Sequence, residues 1–208
     1  MLIPRAFKNS EWLYEGPTAR QDMIRGKIVY LRGLEKEDLG LLHTYLNDEE
    51  VMAWARSRPD HMVSMEGLER EYEAELRGDD PRRRTFVVVE NTSGRPIGWA
   101  SIRWHGPHTT TADIGIALGD KQHRGKGVGT EVNYLLTRLA FEQYNMHKVE
   151  LWTLAENKAA IRSAEKNGYR IEGTLRETVY FNGRFHDAVL MGITKDDYER
   201  LKSKIRNE

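Results

Sequence analysis

Residues 114–131 read IGIALGDKQHRGKGVGTE and decide the fold. The first of these residues are apolar and rich in isoleucine, which predicts a strand that ends near Leu118. A run rich in glycine follows, and the periodic apolar residues beyond it predict a helix that begins near Thr130. The stretch therefore predicts a strand, a glycine-rich turn and a helix in immediate succession.

The turn between that strand and that helix has the composition of an anion site. Gly125, Gly127 and Gly129 alternate along it, so its backbone N–H groups can converge without obstruction by Cβ atoms. The helix N-terminus offers further N–H donors, and Arg124 and Lys126 add positive charge. The turn therefore predicts a cradle for a phosphate or a pyrophosphate.

Two well-known phosphate loops fit this turn poorly. A P-loop places four residues between its first glycine and a Gly-Lys-Ser/Thr sequence, whereas five residues separate Gly119 from Gly125 here and Gly127 follows Lys126. A dinucleotide-binding loop has the spacing G-x-G-x-x-G near the start of a βαβ unit, whereas this turn reads G-x-G-x-G late in the chain. A turn with no ligand is disfavoured, because three glycines cost chain entropy without structural gain.

The rest of the chain predicts a mixed α/β sheet protein around this turn. Predicted strands cover residues 27–32, 85–90, 96–104, 109–118, 149–154, 176–181 and 185–193. Predicted helices begin at Glu35 and cover residues 64–77, 130–144, 157–167 and 195–206. Asn182-Gly183 is a strong hairpin signal between the last two strands. We expect an arm over residues 1–24 and one domain over residues 25–208.

The composition excludes several classes of protein. Among 208 residues, 32 Lys+Arg balance 32 Asp+Glu, which disfavours a nucleic-acid binder, and the absence of cysteine excludes disulfides, a cysteine nucleophile and Cys-ligated metals. No apolar run reaches the roughly 18 residues of a membrane span, and the first residues lack the apolar core of a signal peptide. No His/Asp/Glu spacing indicates a metal site. We expect a cytoplasmic protein with no metal, no nucleic acid and no membrane partner.

Two motifs resemble those of the GNAT superfamily of acyl-CoA-dependent N-acetyltransferases. Residues 122–127, QHRGKG, match the signature Q/R-x-x-G-x-G/A of that family. Residues 157–169, NKAAIRSAEKNGY, resemble its second motif, an Asn-capped helix that ends in Gly-Phe or Gly-Tyr. Residues 172–177 and 181–187 resemble the branch that contains the Rim-type ribosomal-protein acetyltransferases and the spermidine acetyltransferases.

The resemblance implies a GNAT fold, which is a central twisted, mostly antiparallel sheet with two splayed strands and flanking helices. The splayed strands would be residues 113–118 and 149–154, with acetyl-CoA between them. Pantetheine would bond the edge of the first strand, the pyrophosphate would meet the glycine turn, and Asn157 would contact the pantetheine arm. The implied cofactor residues are Ile116, Ala117, Leu118, Gln122, Arg124, Gly125, Lys126, Gly127, Val128, Gly129 and Asn157.

The catalytic groups are harder to assign from the sequence. Many family members carry a Tyr on the second-motif helix as the acid that protonates the CoA thiolate, but the matching position here is Ala164. Tyr180 is a substitute candidate, although cross-strand packing explains it better, and water is another. Asp113 on the strand before the turn and Glu150 on the partner strand are the candidate bases, and each is also a plausible surface residue.

The resemblance implies transfer of an acetyl group to a primary amine, and the sequence leaves the acceptor open. A protein N-terminal α-amine or a small-molecule amine is the main hypothesis. A polyamine or an aminoglycoside-type antibiotic is the alternative, and a CoA-binding sensor without turnover is the third. The loops around residues 55–65 and 104–110 are expected to shape the acceptor pocket, and we expect a homodimer.

Overall fold

The computed structural model describes residues 24–55, 62–104 and 109–207. Within them it forms one eight-stranded sheet in the order β1-β2-β3-β4-β5-β6-β8-β7. The strands are β1 Ile24–Arg25, β2 Val29–Gly33, β3 Arg83–Glu90, β4 Pro96–Trp104, β5 Thr111–Leu118, β6 Lys148–Leu154, β7 Arg170–Phe181 and β8 Arg184–Thr194. The helices are α1 Leu39–Leu46, α2 Glu49–Ala55, α3 Met65–Arg77, α4 Val128–Glu142, α5 Lys158–Lys166 and α6 Lys195–Asn207.

The β5–β6 pair is parallel, and the other neighbouring strands pair antiparallel. This mixed, mostly antiparallel sheet confirms the predicted fold class. The main core lies on one face of the sheet, where α4 packs through Val132, Leu135 and Leu136. A smaller core on the other face joins α1 and α3 to Trp99.

Local capping explains why several helices begin and end where the sequence predicts. The Ser64 hydroxyl accepts a bond from the Gly67 N–H at 3.0 Å at the start of α3, and Gly78 ends that helix with φ of 74°. At α5, the Asn157 side chain accepts from the Ala160 N–H at 3.1 Å, and Gly168 follows the helix with φ of 84°. These boundaries lie within one residue of the prediction.

Three of the differences from the prediction have a clear physical reason. The strand predicted at residues 27–32 begins only at Val29, after a turn at residues 26–28. The Lys27 and Ile28 N–H groups bond the Glu131 carboxylate instead of the backbone of a neighbouring strand. Helix α2 was not predicted, although Asp48 caps it by accepting from two N–H groups. Strand β7 begins at Arg170 instead of residue 176, because β8 continues as its partner.

Some expectations fall outside the described residues. The predicted arm lies there except for Ile24, which is in β1, and so do parts of both predicted acceptor loops, at residues 56–61 and 105–108. Within the described ranges, no helix is both long and apolar enough to cross a bilayer.

Candidate active site

Strands β5 and β6 separate after three paired positions. Thr111 pairs with Lys148, Ala112 with Val149, and Asp113 with Glu150. Beyond that position β5 continues to Leu118 along β4, and β6 continues to Leu154 along β8. The sheet therefore splits between the C-terminal halves of β5 and β6, which are the two strands that the resemblance predicted to splay.

Alternate residues of β5 direct their backbone groups into this split. The Gly119 N–H donates to Ile97 O at 3.0 Å, so it points towards β4. Successive N–H groups along a strand point to opposite sides, and the register between β4 and β5 is regular along its whole length. Ala117 therefore pairs with β4, whereas the groups that face the split belong to Ile116 and Leu118.

The glycine-rich turn adopts a conformation that requires glycine at two positions. Gly125 has φ of 75° and Gly127 has φ of 86°, both in the left-handed region that L side chains rarely occupy. Helix α4 begins directly after Gly127, two residues earlier than predicted, and Gly127 O accepts the first bond of the helix, from the Glu131 N–H at 3.0 Å.

The amides at the start of α4 are therefore available to a ligand as the turn predicts. Val128, Gly129 and Thr130 precede that first helical bond, and N–H groups in this position have no carbonyl of their own helix to bond. Val128 is buried and contributes through its backbone. The exposed Arg124 and Lys126 supply positive charge beside these amides. Such donors and cations fit a pyrophosphate.

The segment between β5 and the turn is held by side chains from α1, from α2 and from Asp48 between these helices. The Tyr45 ring occupies the space above Gly119, where a Cβ atom would lie 2.1 Å from the ring. Lys121 pairs with Asp48 at 3.1 Å and with Glu50. Its neighbour Gln122, a predicted cofactor residue, is exposed in the 3-10 turn Lys121–His123.

His123 joins this segment to the end of β3. Its Nε2 lies 2.9 Å from Glu90 Oε1, and its Nδ1 lies 3.2 Å from Asp120 Oδ2. The contacts with Ser93 and then His123 hold the pKa of Glu90 below its usual range. Lys121 and His123 thus both contact carboxylates, so Arg124 and Lys126 are the cations that the turn offers to a ligand.

The helix after β6 places two further predicted residues beside the split. Asn157 caps α5 directly after β6 ends, as the second motif predicts. Ala164 is fully buried in the main core, on the same face of α5 as Ile161. The position at which many family members carry a Tyr is therefore occupied here by a small side chain that packs in the core.

The two candidate bases lie side by side where β5 and β6 separate. Asp113 and Glu150 are register partners, so their side chains leave the sheet on the same face. Their neighbours Ala112, Ile114, Val149 and Leu151 belong to the main core, so both carboxylates lie on the opposite face. The structure thus brings together two residues that the sequence could only propose one at a time.

A lysine and a third carboxylate lie beside this pair. Lys148 Nζ lies 3.5 Å from Glu150 Oε2 and 2.6 Å from Glu172 Oε2. The Glu172 carboxylate, and Glu150 to a smaller extent, raise the pKa of Lys148. The sequence did not single out Glu172, because it enters through a bulge between β7 and β8. Arg103, the register partner of Asp113 on β4, also lies on this face, so carboxylates and cations alternate across it.

Tyr180 lies away from that pair. It is exposed on β7 next to the hairpin turn, and its ring packs against Phe185 at 5.0 Å. Phe185 is seven residues along β8 from Gly192, the partner of Glu150, which corresponds to roughly 23 Å of strand. This placement agrees with the packing interpretation of Tyr180. Within the described residues, no group of three or more His, Asp or Glu side chains could hold a metal ion.

Known proteins resemble this chain in sequence and in structure. The model of a family described as an acetyltransferase (GNAT) domain matches residues 29–170, which is more than half of the chain. The chain belongs to the GNAT acetyltransferase family. A Bacillus subtilis relative named Probable N-acetyltransferase YjcK is 31% identical over 186 residues, covering 86% of this chain and 100% of its own length.

Other relatives of this GNAT chain are named after an acceptor. Spermidine N(1)-acetyltransferase of Vibrio cholerae is 29% identical over 168 residues, covering 81% of this chain and 94% of its own length. The crystal structure of spermidine N-acetyltransferase from the same organism in complex with CoA and spermine has a TM-score of 0.75 at 28% identity, with 82% of this chain and 98% of that chain covered.

These findings make the chain an N-acetyltransferase with acetyl-CoA as its cosubstrate. They confirm the predicted family and its relation to spermidine acetyltransferases. Membership of the Rim-type branch and a cytoplasmic location stay predictions.

Proposed function

We propose that this enzyme acetylates a primary amine of a small cationic molecule of the polyamine class. The observation that carries the proposal is the Asp113–Glu150 pair at the point where β5 and β6 separate. With Glu172 nearby, the pair offers carboxylates to a cationic amine on a face that Arg103 and Lys148 also share. The resemblance of the chain to spermidine acetyltransferases supports the same class of acceptor.

Acetyl-CoA would occupy the split and the glycine-rich turn. The amides of Val128, Gly129 and Thr130, with Arg124 and Lys126, would bind its pyrophosphate. The backbone of Ile116 and Leu118 would bond the pantetheine arm, because these residues direct their polar groups into the split. Asn157 at the start of α5 would reach the same arm from the other strand.

The carboxylate pair would remove the proton that keeps the amine unreactive. An amine with a pKa near 10.4 loses its proton at pH 7 at a cost of about 4–5 kcal/mol, whereas an α-amine with a pKa near 8 costs only about 1 kcal/mol. A cationic acceptor therefore needs a base more than a protein N-terminus does. Asp113 and Glu150 would accept that proton directly or through water, and the Ile116 N–H would stabilise the oxyanion that forms on the acetyl carbonyl.

The polyamine class, which was the alternative in the sequence analysis, takes precedence over its main hypothesis of a protein N-terminal α-amine or another small-molecule amine. Acetylation of a protein α-amine remains the second candidate, since the relative YjcK is named only as an N-acetyltransferase.

The homodimer predicted from the sequence belongs to this proposal. Strand β7 is the edge of the sheet, and the β7–β8 hairpin exposes apolar side chains that a second copy would cover: Ile171, Leu175, Tyr180 and Phe185. Light scattering on the purified chain tests this part, and a monomer at micromolar concentration would contradict it.

A panel of acceptors tests the proposed reaction. Release of the CoA thiol would be measured with spermidine, a simple diamine, an aminoglycoside and a peptide with a free α-amine. We expect kcat/KM to be highest for spermidine or the diamine. Release with the peptide alone would support the second candidate, and silence with all four acceptors despite acetyl-CoA binding would contradict the proposed acceptor class.

A further inference from the structure

We propose that Glu131 is a positioning residue for acetyl-CoA, because it fixes the first turn of α4 to the turn at residues 26–28. The inference rests on the proposed use of the α4 amides by the pyrophosphate. Glu131 was not among the predicted site residues, and its side chain is fully buried.

The Glu131 carboxylate is fully buried and bonded by three backbone amides. Its Oε1 accepts from the Lys27 N–H at 2.6 Å, and its Oε2 accepts from the Ile28 N–H at 2.7 Å and the Val29 N–H at 2.8 Å. Three consecutive amides that converge on one carboxylate form a backbone anion site of the kind otherwise used for phosphates. The link joins residues more than 100 positions apart in the chain.

The turn that holds Glu131 is itself fixed from the other side. Asn91 Nδ2 donates to Gly26 O at 2.9 Å and to Lys27 O at 2.7 Å, and the Asn91 N–H donates to Ile28 O at 2.9 Å. Its sequence neighbour Glu90 bonds His123 in the segment before the glycine-rich turn. Residues 90 and 91 therefore support the predicted cofactor turn at both of its ends.

Glycine at position 26 allows these segments to approach, whereas Gly127 leaves room for an ordinary contact. A Cβ atom at Gly26 would lie 2.5 Å from the Glu131 carboxyl carbon, and one at Gly127 would lie 3.7 Å from Ile28 Cδ1. The first contact is too short for any side chain at position 26 unless the carboxylate moves. The close packing of Gly26 against Glu131 thus explains why glycine stands at a position without a positive φ.

A fixed first turn matters because a ligand bound by backbone amides needs them preorganised. Glu131 is the fourth residue of α4, one turn from Gly127, so its anchor acts on Val128, Gly129 and Thr130 directly. If the carboxylate loses its amides, the first turn loses its link to residues 26–29. Displacement of binding groups by about 1 Å can cost up to about 100-fold in function.

Two variants disrupt the contact between Glu131 and the turn at residues 26–28, one variant in each of the two segments. Glu131→Gln replaces a carboxylate by an amide whose NH₂ group faces N–H donors, and Gly26→Ala pushes the carboxylate away from its amides. The control is Glu142→Gln in the last turn of α4, which removes a carboxylate that bonds Tyr198 and Lys202 far from the cofactor turn. All proteins would be compared at a temperature at which circular dichroism shows them folded.

The readouts separate positioning from stability. We expect both anchor variants to raise the Kd for acetyl-CoA by about 10-fold to 100-fold in calorimetry, while Glu142→Gln lowers the Tm without changing that Kd. With acetyl-pantetheine, which lacks the pyrophosphate, we expect kcat/KM of the anchor variants to stay within about twofold of the parent, because the amides of α4 have no ligand there.

Each other outcome overturns the inference. An unchanged Kd for acetyl-CoA in either folded anchor variant would show that Glu131 only stabilises the fold, and so would equal losses with acetyl-CoA and acetyl-pantetheine. Failure of the parent protein to bind acetyl-CoA would overturn the proposed function itself, and the inference with it.

Discussion

Asp113 and Glu150 are register partners at the last position where β5 and β6 pair, and the two strands separate immediately beyond them. One structural feature thereby places two carboxylates at the inner end of the split that would hold the acetyl thioester. The pairing also places both on the face opposite the main core, where an acceptor can approach. This pair of carboxylates is the basis for the proposed acceptor.

Replacement of either carboxylate by its amide should slow acetyl transfer. General base catalysis contributes about 100-fold to 10,000-fold, so we expect Asp113→Asn and Glu150→Gln each to lower kcat with spermidine by at least about 100-fold at pH 7. The Kd for acetyl-CoA should stay unchanged. The double variant should lose little more than either single one, because residues that act as a unit are not additive.

Glu172→Gln is the matched control for this experiment. Glu172 bonds Lys148 in the same cluster of charged side chains but is not at the point where the strands separate. We expect its kcat to change by less than about threefold. Equal effects of all three substitutions would mean that only the charge of the face matters, and would contradict the role of the pair as a base.

Substitution of Gly127 should weaken acetyl-CoA binding. Gly127→Ala places a side chain at a φ of 86°, and the strain of about 1 kcal/mol or more would move the start of α4. Gly183→Ala is the control, since Gly183 has φ of 78° at the β7–β8 turn. Both variants should have a lower Tm, but only Gly127→Ala should raise the KM for acetyl-CoA. A raised KM in both would contradict a local effect.

Installation of the tyrosine common in the family should not improve this enzyme. Ala164 is fully buried in the main core, so Ala164→Tyr overpacks it and should lower the free energy of unfolding by about 1–3 kcal/mol. We expect denaturant unfolding to show this loss and kcat to fall or stay unchanged. A stable variant with a higher kcat would show that position 164 faces the thioester, contrary to its packing.

Acid should abolish the contribution of one ion pair to stability. Burial alone would raise the pKa of Asp38, but bonds from Arg32 and from the Glu35 N–H outweigh it and leave that pKa below its usual range. Because the folded-state pKa is lowered, the stabilisation is present above the unfolded-state pKa, about 4, and is lost as the pH falls through the folded-state value.

The variant Asp38→Asn tests the direction of this pH dependence of stability. At pH 7 we expect the variant to be less stable than the parent by about 1–3 kcal/mol in urea unfolding, and below about pH 3 the difference should shrink. A difference that is constant from pH 7 to pH 3 would contradict the effect of the ion pair.

The sequence predicted the parts of this site that depend on local chemistry. The glycine-rich turn, the Asn157 cap and the hairpin at Asn182-Gly183 follow from backbone conformations and caps that neighbouring residues determine. Their positions in the structure agree with the prediction to within a few residues.

Other features depend on residues far apart in the chain and had no local signal. The pairing of Asp113 with Glu150 follows from the register of two strands, and the Glu131 anchor follows from a turn more than 100 residues away. Glu131 resembles an ordinary acidic residue in the first turn of a helix, which the helix dipole alone would explain. The early start of β7 likewise depends on β8 as its partner.

The direction of the β5 amides allows the most direct test of the cofactor site. Amide hydrogen exchange would be measured residue by residue, with and without acetyl-CoA. The account predicts that acetyl-CoA slows exchange at Ile116 and Leu118, which face the split, and changes Ala117 little, since its amide already faces β4. Binding of acetyl-CoA without protection of Ile116 and Leu118 would contradict the placement of the cosubstrate between β5 and β6.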